Sequence, residues 1–588
     1  MSSGFLGVTK SLSNKRWMSP SIAHERIAYS LVQKHNISPL TAFLLAKRGV
    51  ESDVLDSFLS PKIKNLMPDP LLLRDMAKAS NRLLKAIKEK EKICIFADYD
   101  VDGTTCASIL QIWLSHFKVF PEIYIPNRLT EGYGPNPRAM EELSKRNKLI
   151  ICVDCGTAAH NSIQIANSKG TDVLVLDHHM ADNTLPPAVA IINPKRQDET
   201  GELEYLCAAG VVFLFLVSLN RILREKGVAS PNIMNFLDLV ALATVADVVP
   251  LVDLNRALVS QGLKILAQRN RPGLVALIDE ANIKTKPTSY HLGYLIAPRI
   301  NAAGRLSDAK LAVKLLTTKS DEESIKIARE LNELNIKRRS MEDETLSEAI
   351  AQIETQQQEQ KNVIWVANNH WHPGVLGIIA ARLKDKYSTP SLVFSIDSTG
   401  FAIGSARSIP GVDIGKEIKK LSKKGLIVSG GGHSMAAGIK LHKNQLAESM
   451  ALLSLNIKKT QKHLEFEKIL EIETLITTKG ATLDIVEEMN LVGPFGAGNP
   501  QPLVAIANCQ IKYVKIIANK HIKFVCVDAT GKRLESIFFN SVETKPGRQL
   551  LQNNGASFNF CGKLDINDWA GYRRVVFQVE DVAEVLIN

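Results

Sequence analysis

The chain has 588 residues, a formal net charge of +11 and a pI near 9.1; 45% of it is hydrophobic and 23% charged. That is more chain than one core can hold, about three or four domains' worth, and the composition is that of a globular protein rather than a disordered or collagen-like one. Eight cysteines are too few for a disulfide scaffold, and the basic balance favours an anionic partner, nucleic acid first.

The opening stretch MSSGFLGVTKSLSNKRWM is basic and Ser-rich and lacks the apolar core of a secretory signal. It reads as a disordered tail on a protein of the reducing cytoplasm. Residues 21–90 carry helical periodicity, as in SPLTAFLLAKRG, where Ser38 is placed to cap and Gly49 to stop. From 91 to about 190, three β-rich runs alternate with helical segments such as 105–118 and 137–146: ICIFA (93–97), LIICV (149–153) and DVLVL (172–176). Apolar runs spaced by helices predict a parallel sheet covered on both faces.

LCAAGVVFLFLVSL (206–219) is short for a membrane span and reads as a buried helix within a mainly helical region, 203–318. Residues 321–360 contain no Gly or Pro, and Ile325, Ala328, Leu331 and Leu334 recur every three positions. One long helix is expected there, a strut between two domains. Strand–helix alternation then returns to about 455, and from about 468 the chain turns strand-rich, in the manner of a small barrel.

The three early runs end alike. ICIFA leads into DYDVDG, with Asp98, Asp100 and Asp102; LIICV leads into Asp154; DVLVL leads into Asp177-His178-His179. Alternate residues of an extended chain face the same way, so an extended 98–102 would crowd three carboxylates onto one face, which a cation among them would relieve. The carboxyl ends of strands in an open parallel sheet line the ligand crevice, and Asp247, in ATVADVVPL, could return a further carboxylate to it. Many oxygen ligands with one or two imidazoles suit Mn²⁺ or Mg²⁺ better than zinc, and a pair of such ions suits phosphodiester hydrolysis. The blander readings are weaker. A lone Asp at a strand end is commonly a turn or cap residue, but here the pattern recurs at three successive ends. A calcium loop would need Glu where Gln111 stands. Cys152 and Cys155 form a C-x-x-C with no second Cys or His pair at zinc spacing.

In this order, DYDVDG, VDCG, DHH and ADVVPL resemble the four motifs of the DHH phosphoesterase superfamily, and within it the chain is similar to the RecJ family of single-strand-specific 5′→3′ exonucleases. APRINAAGRL (297–306) is similar to a segment whose arginines meet substrate phosphate in that family. WHPGVLGIIAARL (371–383), GSARS (404–408) and SGGGHSMAAG (429–438) look like the DHH-associated domain, and PFGAGNPQP (494–502) resembles the start of the oligonucleotide-binding (OB) fold. The resemblance implies an α/β protein: a parallel-sheet DHH domain (81–320) and a smaller α/β DHH-associated domain (361–458), joined by a linker helix (321–360). An OB-type β-barrel (465–588) follows, and an N-terminal helical segment (1–80) is expected to pack on the DHH domain.

It further implies Asp98, Asp100, Asp102, Asp154, His178 and Asp247 as ligands of two divalent ions, Mn²⁺ or Mg²⁺, with Asp154 placed to bridge and His179 contacting or protonating the scissile phosphate. Arg299, Ser405 and Arg407 are the candidates for the 5′-terminal phosphate, which a guanidinium can grip twice. Arg128, Asn301 and Arg305 join them as DNA-binding candidates. Gly431, Gly432 and His433 belong to a glycine run whose free N–H groups could nest an anion. Ala97 and Ala406 stand where the family commonly has Gly.

The family suggests single-stranded DNA as substrate, helicase and single-strand-binding partners, a monomeric state, and a role in repair and recombination. The barrel carries a basic bias (Lys512, Lys515, Lys520, Lys523, Lys532, Arg533, Lys545, Arg548) interleaved with Tyr513, Phe524, Phe538 and Phe539, which are either stacking platforms or core. The competing functions are a DHH phosphodiesterase of short oligonucleotides or cyclic dinucleotides, which would need neither linker helix nor barrel, and a non-catalytic DNA-binding scaffold, which would not need every carboxylate.

Overall fold

Five parallel strands build the first sheet of the computed structural model, which describes residues 4–358, 361–461, 468–553, 555–569 and 572–585. Their order is Glu122–Tyr124, Ile93–Ala97, Leu149–Val153, Asp172–Leu176, Ala190–Ile192. The three apolar runs are the central strands, and every residue of the Ile93 and Leu149 strands is buried, as two covered faces require. The outer strands have three residues each, too short to announce themselves by pattern. The second strand in the chain lies outside the first and the third on its other side, so the winding reverses between Ile93–Ala97 and Leu149–Val153. An open sheet forms its binding crevice at that reversal.

One face is covered by helices that share a core with it, including Met76–Lys88, Val101–Ser115, Ala208–Glu225 and Leu237–Ala246. The other is covered by Pro137–Ser144 and His160–Ser168, and Cys152 and Cys155 belong to that apolar layer.

The linker helix runs Asp321–Thr355, 35 residues, or about 50 Å at 1.5 Å per residue. Its buried positions include Ser324, Ala328, Leu331, Asn335, Arg338, Glu342, Thr345, Ala349 and Ile353, whereas Ile325 is exposed. A seam stepping by three and four follows the true helical period, which is why the triplet spacing read from the sequence fails, and half of the seam is polar. Arg338 pairs with Glu342 and with Asn335, and Arg382, on the helix Leu376–Tyr387, reaches Glu342 at 3.1 Å. The last two residues of the expected linker, 359–360, lie outside the described residues.

The second sheet has the order Ser429–Gly432, Ala436–His442, Phe401–Arg407, Ser391–Ile396, Ile364–Asn368, with only the last pair parallel. The third is a barrel closed by pairing of Val504–Ile517 with Ser557–Trp569. Of the barrel aromatics, Phe524 and Phe538 are core, while Tyr513 and Phe539 are exposed.

The N-terminal region differs from expectation. Residues 4–18 are ordered: Lys15–Met18 pairs in parallel with Lys468–Glu471, and buried Trp17 donates its indole N–H to Asp581 of the barrel at 2.8 Å. The helices Ile22–His35 and Pro39–Lys47 share a core with the barrel rather than with the DHH sheet, through Ala28, Leu31, Leu44 and Leu45 against Val486, Met489, Val504 and Phe560. Only the later part of the segment, from Ile63 through Met76–Lys88, joins the first core. The apolar stripe of the early helices is generic, and nothing in it names a sheet so distant in sequence.

Candidate active site and metal centre

The DYDVDG stretch is not extended, and its three carboxylates converge by another route. Asp98 follows its strand with its N–H bonded to Val153 O at 3.3 Å; Asp154 and Asp177 repeat this against Leu176 and Ile192. Asp100 is the N-cap of the helix Val101–Ser115, accepting from the N–H groups of Asp102 and Gly103 at 2.9 and 3.2 Å. Asp102 lies in that helix's first turn and accepts from Ala208 and Ala209 at 2.7 and 2.8 Å, tying it to the start of the buried helix Ala208–Glu225. Gly103 permits the tight turn: a Cβ there would stand 2.5 Å from Asp98 O.

Three groups of ligand atoms result, each within 4.8 Å of one another: Asp98, Asp100 and Asp154; Asp102, His178 and Asp247; and Asp154, His178 and His179. Asp154 belongs to two groups, and His178 Nε2 lies 3.3 Å from Asp154 Oδ1, 3.6 Å from Asp247 and 3.9 Å from Asp102. Asp98 Oδ1, Asp154 Oδ1 and His178 Nε2 are buried without hydrogen-bond partners. Burial and then the charges of their neighbours hold Asp98 and Asp154 well above the ordinary carboxylate range, and push Asp102 up to about 7 and Asp247 to about 8. Burial, then the charge of His179, pushes His178 down to about 3, leaving a neutral imidazole suited to ligation. Crowded carboxylates, a neutral imidazole and unpartnered oxygens are the donor set that hard divalent cations take, so the residues fit a two-ion centre.

His179 differs in kind. Its Nδ1 lies 2.8 Å from Asp177 Oδ1 and 3.0 Å from the Tyr133 hydroxyl, which also reaches Asp154 O at 3.0 Å. Burial opposes its charge, but the bond to Asp177 prevails and raises His179 to about 9. Sequence reasoning missed Tyr133 in TEGYG and the orienting task of Asp177. The only available signal was the acidic residue beside a histidine pair.

The DNA-binding candidates divide. The Arg128 guanidinium sits 4.9 Å over the ring of Tyr99, between two of the acidic residues, and Gly304 packs so closely on Tyr99 that a Cβ there would stand 2.6 Å from its carbonyl oxygen. Arg305 follows Gly304 and donates to Gly374 O at 3.0 Å; at Gly377, one turn on, a Cβ would meet Arg407 Nη2 at 3.0 Å and Ser405 Oγ at 3.1 Å. Burial, then the charge of Arg128, lowers both Arg305, to about 10, and Arg407. Arg128 is thus a like-charged neighbour of both Arg305 and Arg407, an arrangement across two domains that suits an anion.

Arg299 is elsewhere, donating to Asn332 on the linker helix at 3.0 Å and to Leu295 O at 2.6 Å. Asn301 is spent on the acidic loop, its Oδ1 accepting from Val101 N–H at 3.1 Å. The glycine run is an edge strand rather than a loop, with Gly431 in register with Gly438 and Gly438 with Ser405. No atom lies within 4 Å of the Cβ site of Gly431 or of Gly438, so a floor free of side chains leads away from Ser405. His433 is exposed beyond it, its N–H bonded to Ala436 O at 2.8 Å. Ala97 and Ala406 bury their methyls in the cores, and the Ala406 carbonyl accepts from Arg407 Nη1 at 2.9 Å.

The barrel frames the site from another side. Its entry loop offers Ala497 O to Leu251 N–H at 2.8 Å, just past Asp247. Arg256, buried and stacked 3.8 Å over Phe58, donates to Phe58 O at 2.9 Å and to the carbonyls of Val492 and Gly493.

The DHH family, N-terminal domain, matches residues 92–244; the DHHA1 domain matches 360–459, and the RecJ OB domain matches 472–581. The chain is 34% identical over 583 residues to the single-stranded-DNA-specific exonuclease RecJ of Bacillus subtilis (strain 168), covering 97% of this chain and 71% of that protein. It is 32% identical over 568 residues to the RecJ of Escherichia coli (strain K12), covering 93% and 96%. The crystal structure of RecJ in complex with Mn²⁺ from Thermus thermophilus superposes with a TM-score of 0.79 at 26% identity, over 96% of this chain and 78% of that one. With its three domains in RecJ order and the acidic centre at the sheet's switch point, the chain belongs to the RecJ family of DHH exonucleases.

Proposed function

We propose that this enzyme hydrolyses single-stranded DNA from its 5′ end and releases 5′ mononucleotides, with Asp98, Asp100, Asp102, Asp154, His178 and Asp247 holding two divalent ions, Mn²⁺ or Mg²⁺. The observation that carries the reading is the cluster of Arg128, Arg305 and Arg407, with Ser405, set one residue from the acidic centre and closed by a second domain. A cationic pocket that ends the cleft suits a terminal phosphate, and so an exonuclease. The bound ions would supply an activated water and offset charge on the phosphoryl oxygens. His179, kept charged by Asp177 and steadied by Tyr133, contacts a phosphate oxygen and is placed to give up a proton. The glycine floor beside Ser405 lets the strand's backbone approach closely.

The linker helix and the barrel, both present, weigh against a phosphodiesterase of dinucleotides, and the full carboxylate set weighs against a non-catalytic scaffold. Among the described residues no helix is long and apolar enough to cross a membrane. We place the protein in the cytoplasm as a monomer serving DNA repair and recombination, supplied with single strands by a helicase and a single-strand-binding protein.

The test is digestion of 5′- and 3′-labelled single strands, a blunt duplex and a dinucleotide, with Mn²⁺ or with EDTA. Immediate release of the 5′ label as mononucleotide, with the duplex spared and EDTA silencing the reaction, is expected. Release of the 3′ label first, or cleavage of the dinucleotide alone, overturns the reading.

A further inference from the structure

An aromatic surface lies outside all of this chemistry. The rings of Tyr290 and Tyr294 stack with centroids 5.1 Å apart and planes at 28°, and among the described residues no other ring pair is stacked. Both stay largely in solvent, 59% and 67% exposed. One ring face of each lies against the other, and the His291 ring meets Tyr290 edge-on with centroids 5.9 Å apart. Isolated exposed rings are ordinary, but a contiguous exposed aromatic surface marks a contact.

Its place in the fold says which contact. The pair begins a π-helical turn, His291–Ile296, that continues into the helix Ala297–Leu306, and π-turns concentrate at functional sites. Three ties locate it. Gly293 packs on Val245, two residues before Asp247, with a Cβ site 3.3 Å from Val245 Cγ1. Asn301, on the same run, holds the acidic loop. Ser289 donates to Phe495 O of the barrel's entry loop at 2.5 Å. The run that carries the rings therefore touches both the helix that leads to Asp247 and the entry loop of the barrel. At 1.5 Å per residue Tyr294 is about 10 Å from Asn301 and Tyr290 about 16 Å. At a stacked rise of about 3.4 Å per nucleotide, or more if extended, that distance spans roughly two to five nucleotides.

The surrounding charge suits a phosphate backbone. Arg299 lies on the same helical run and feels Arg339 of the linker helix beside it; Glu280 and, next to His291, Asp565 are the acidic neighbours. Lys284 and Lys286 precede the turn.

We propose that Tyr290 and Tyr294 form a base-stacking platform that holds the incoming single strand a few nucleotides from the scissile bond, gripping bases by their faces and so without sequence preference. This rests on the single-strand exonuclease reading.

The test uses the full-length protein and two variants, Tyr290→Ala/Tyr294→Ala and Tyr290→Phe/Tyr294→Phe. The substrates are a 5′-phosphorylated dinucleotide, too short to reach the rings, and a 20-nucleotide strand. A series of such strands carries 2-aminopurine at one of positions two to six, read in EDTA so that binding is seen without cleavage. Stacking contributes about 1–3 kcal/mol per base, so the alanine pair is expected to raise KM for the 20-mer about 10–100-fold. Its kcat and its dinucleotide kinetics should stay within about twofold of wild type. The phenylalanine pair should behave as wild type, because the ring face and not the hydroxyl does the work. Fluorescence quenching should occur at one or two adjacent positions and vanish in the alanine pair. A 20-mer KM within twofold of wild type, equal losses on both substrates, or absence of position-dependent quenching overturns the platform. Failure of the wild-type protein to degrade the 20-mer with Mn²⁺ overturns instead the exonuclease reading beneath it.

Discussion

Asp154→Asn removes one negative charge from the centre while keeping the shape of the side chain. Asparagine is the right replacement because Asp154 has φ 59°, a left-handed conformation that Asn tolerates and Ala does not. Asp154 is 2% exposed and its oxygens lie within 4.8 Å of those of Asp98 and Asp100. At that distance, with an effective dielectric constant near 20, each like-charge pair costs about 3 kcal/mol. Partial protonation already relieves some of this, so the variant should be stabilised by about 2–4 kcal/mol when free of metal, raising the melting temperature of the DHH domain by about 5–10 °C. With Mn²⁺ the order should reverse: wild type gains strongly, the variant little, and its hydrolysis of single strands falls at least 100-fold. Differential scanning calorimetry with EDTA and with saturating Mn²⁺, beside a 5′-label release assay, measures all three. A metal-free melting temperature equal to or below wild type, or equal Mn²⁺ stabilisation of both proteins, refutes the reasoning; so does wild-type turnover.

Asp102 and Asp247 hold protons more tightly folded, at about 7 and 8, than an unfolded carboxyl does. The contribution of these two groups to the stability of the metal-free chain is thus fully present below about pH 4 and is lost as pH rises through 7 to 8; melting curves of wild type and of Asp247→Asn should differ in this pH dependence, and Mn²⁺ should remove the decline. Asp177→Asn takes away the partner that raises His179 to about 9, so the alkaline limb of the kcat/KM profile should move from near pH 9 toward 6.5. An unmoved limb excludes His179 as its source. Arg407→Gln should raise KM about 10–100-fold for strands with a 5′ phosphate and far less for 5′-hydroxyl strands, as steady-state kinetics on matched oligonucleotides will show. Arg256→Ala leaves buried carbonyls unpartnered, a loss of about 2–4 kcal/mol, and should expose the 490–500 loop to limited proteolysis.

The acidic centre was legible because its chemistry sits at strand ends, and strand ends are marked by where apolar runs stop. That drew attention to Asp98, Asp154 and His178, although the apolar pattern does not show the turn from strand to helix that gathers Asp100 and Asp102. The long helix was legible from its lack of breakers, but its seam was not: Asn335, Arg338 and Glu342 are buried because they satisfy one another, and polar residues give no apolar period. Arg299 and Arg305 look alike within APRINAAGRL, yet six residues along a helix place them on different sides. Arg256 and the barrel contact of the first helices depend on segments about 200 or more residues apart, and no local pattern encodes such a meeting.

That distance has a consequence for how the molecule comes into being. Leu31, Leu44 and Leu45 leave the ribosome early, but the surface that buries them includes Val504 and Phe560. At about 5–20 residues per second, roughly half a minute or more separates the two. Throughout that time the DHH sheet has its own core to close, while the first helices display apolar faces with no place to put them. The amino-terminal strand Lys15–Met18 and its mate Lys468–Glu471 can join only after almost the whole chain is made. The chain's beginning is thus among the last parts to settle, and a nascent chain halted before the barrel would be an aggregation-prone product even though its acidic cluster was already assembled.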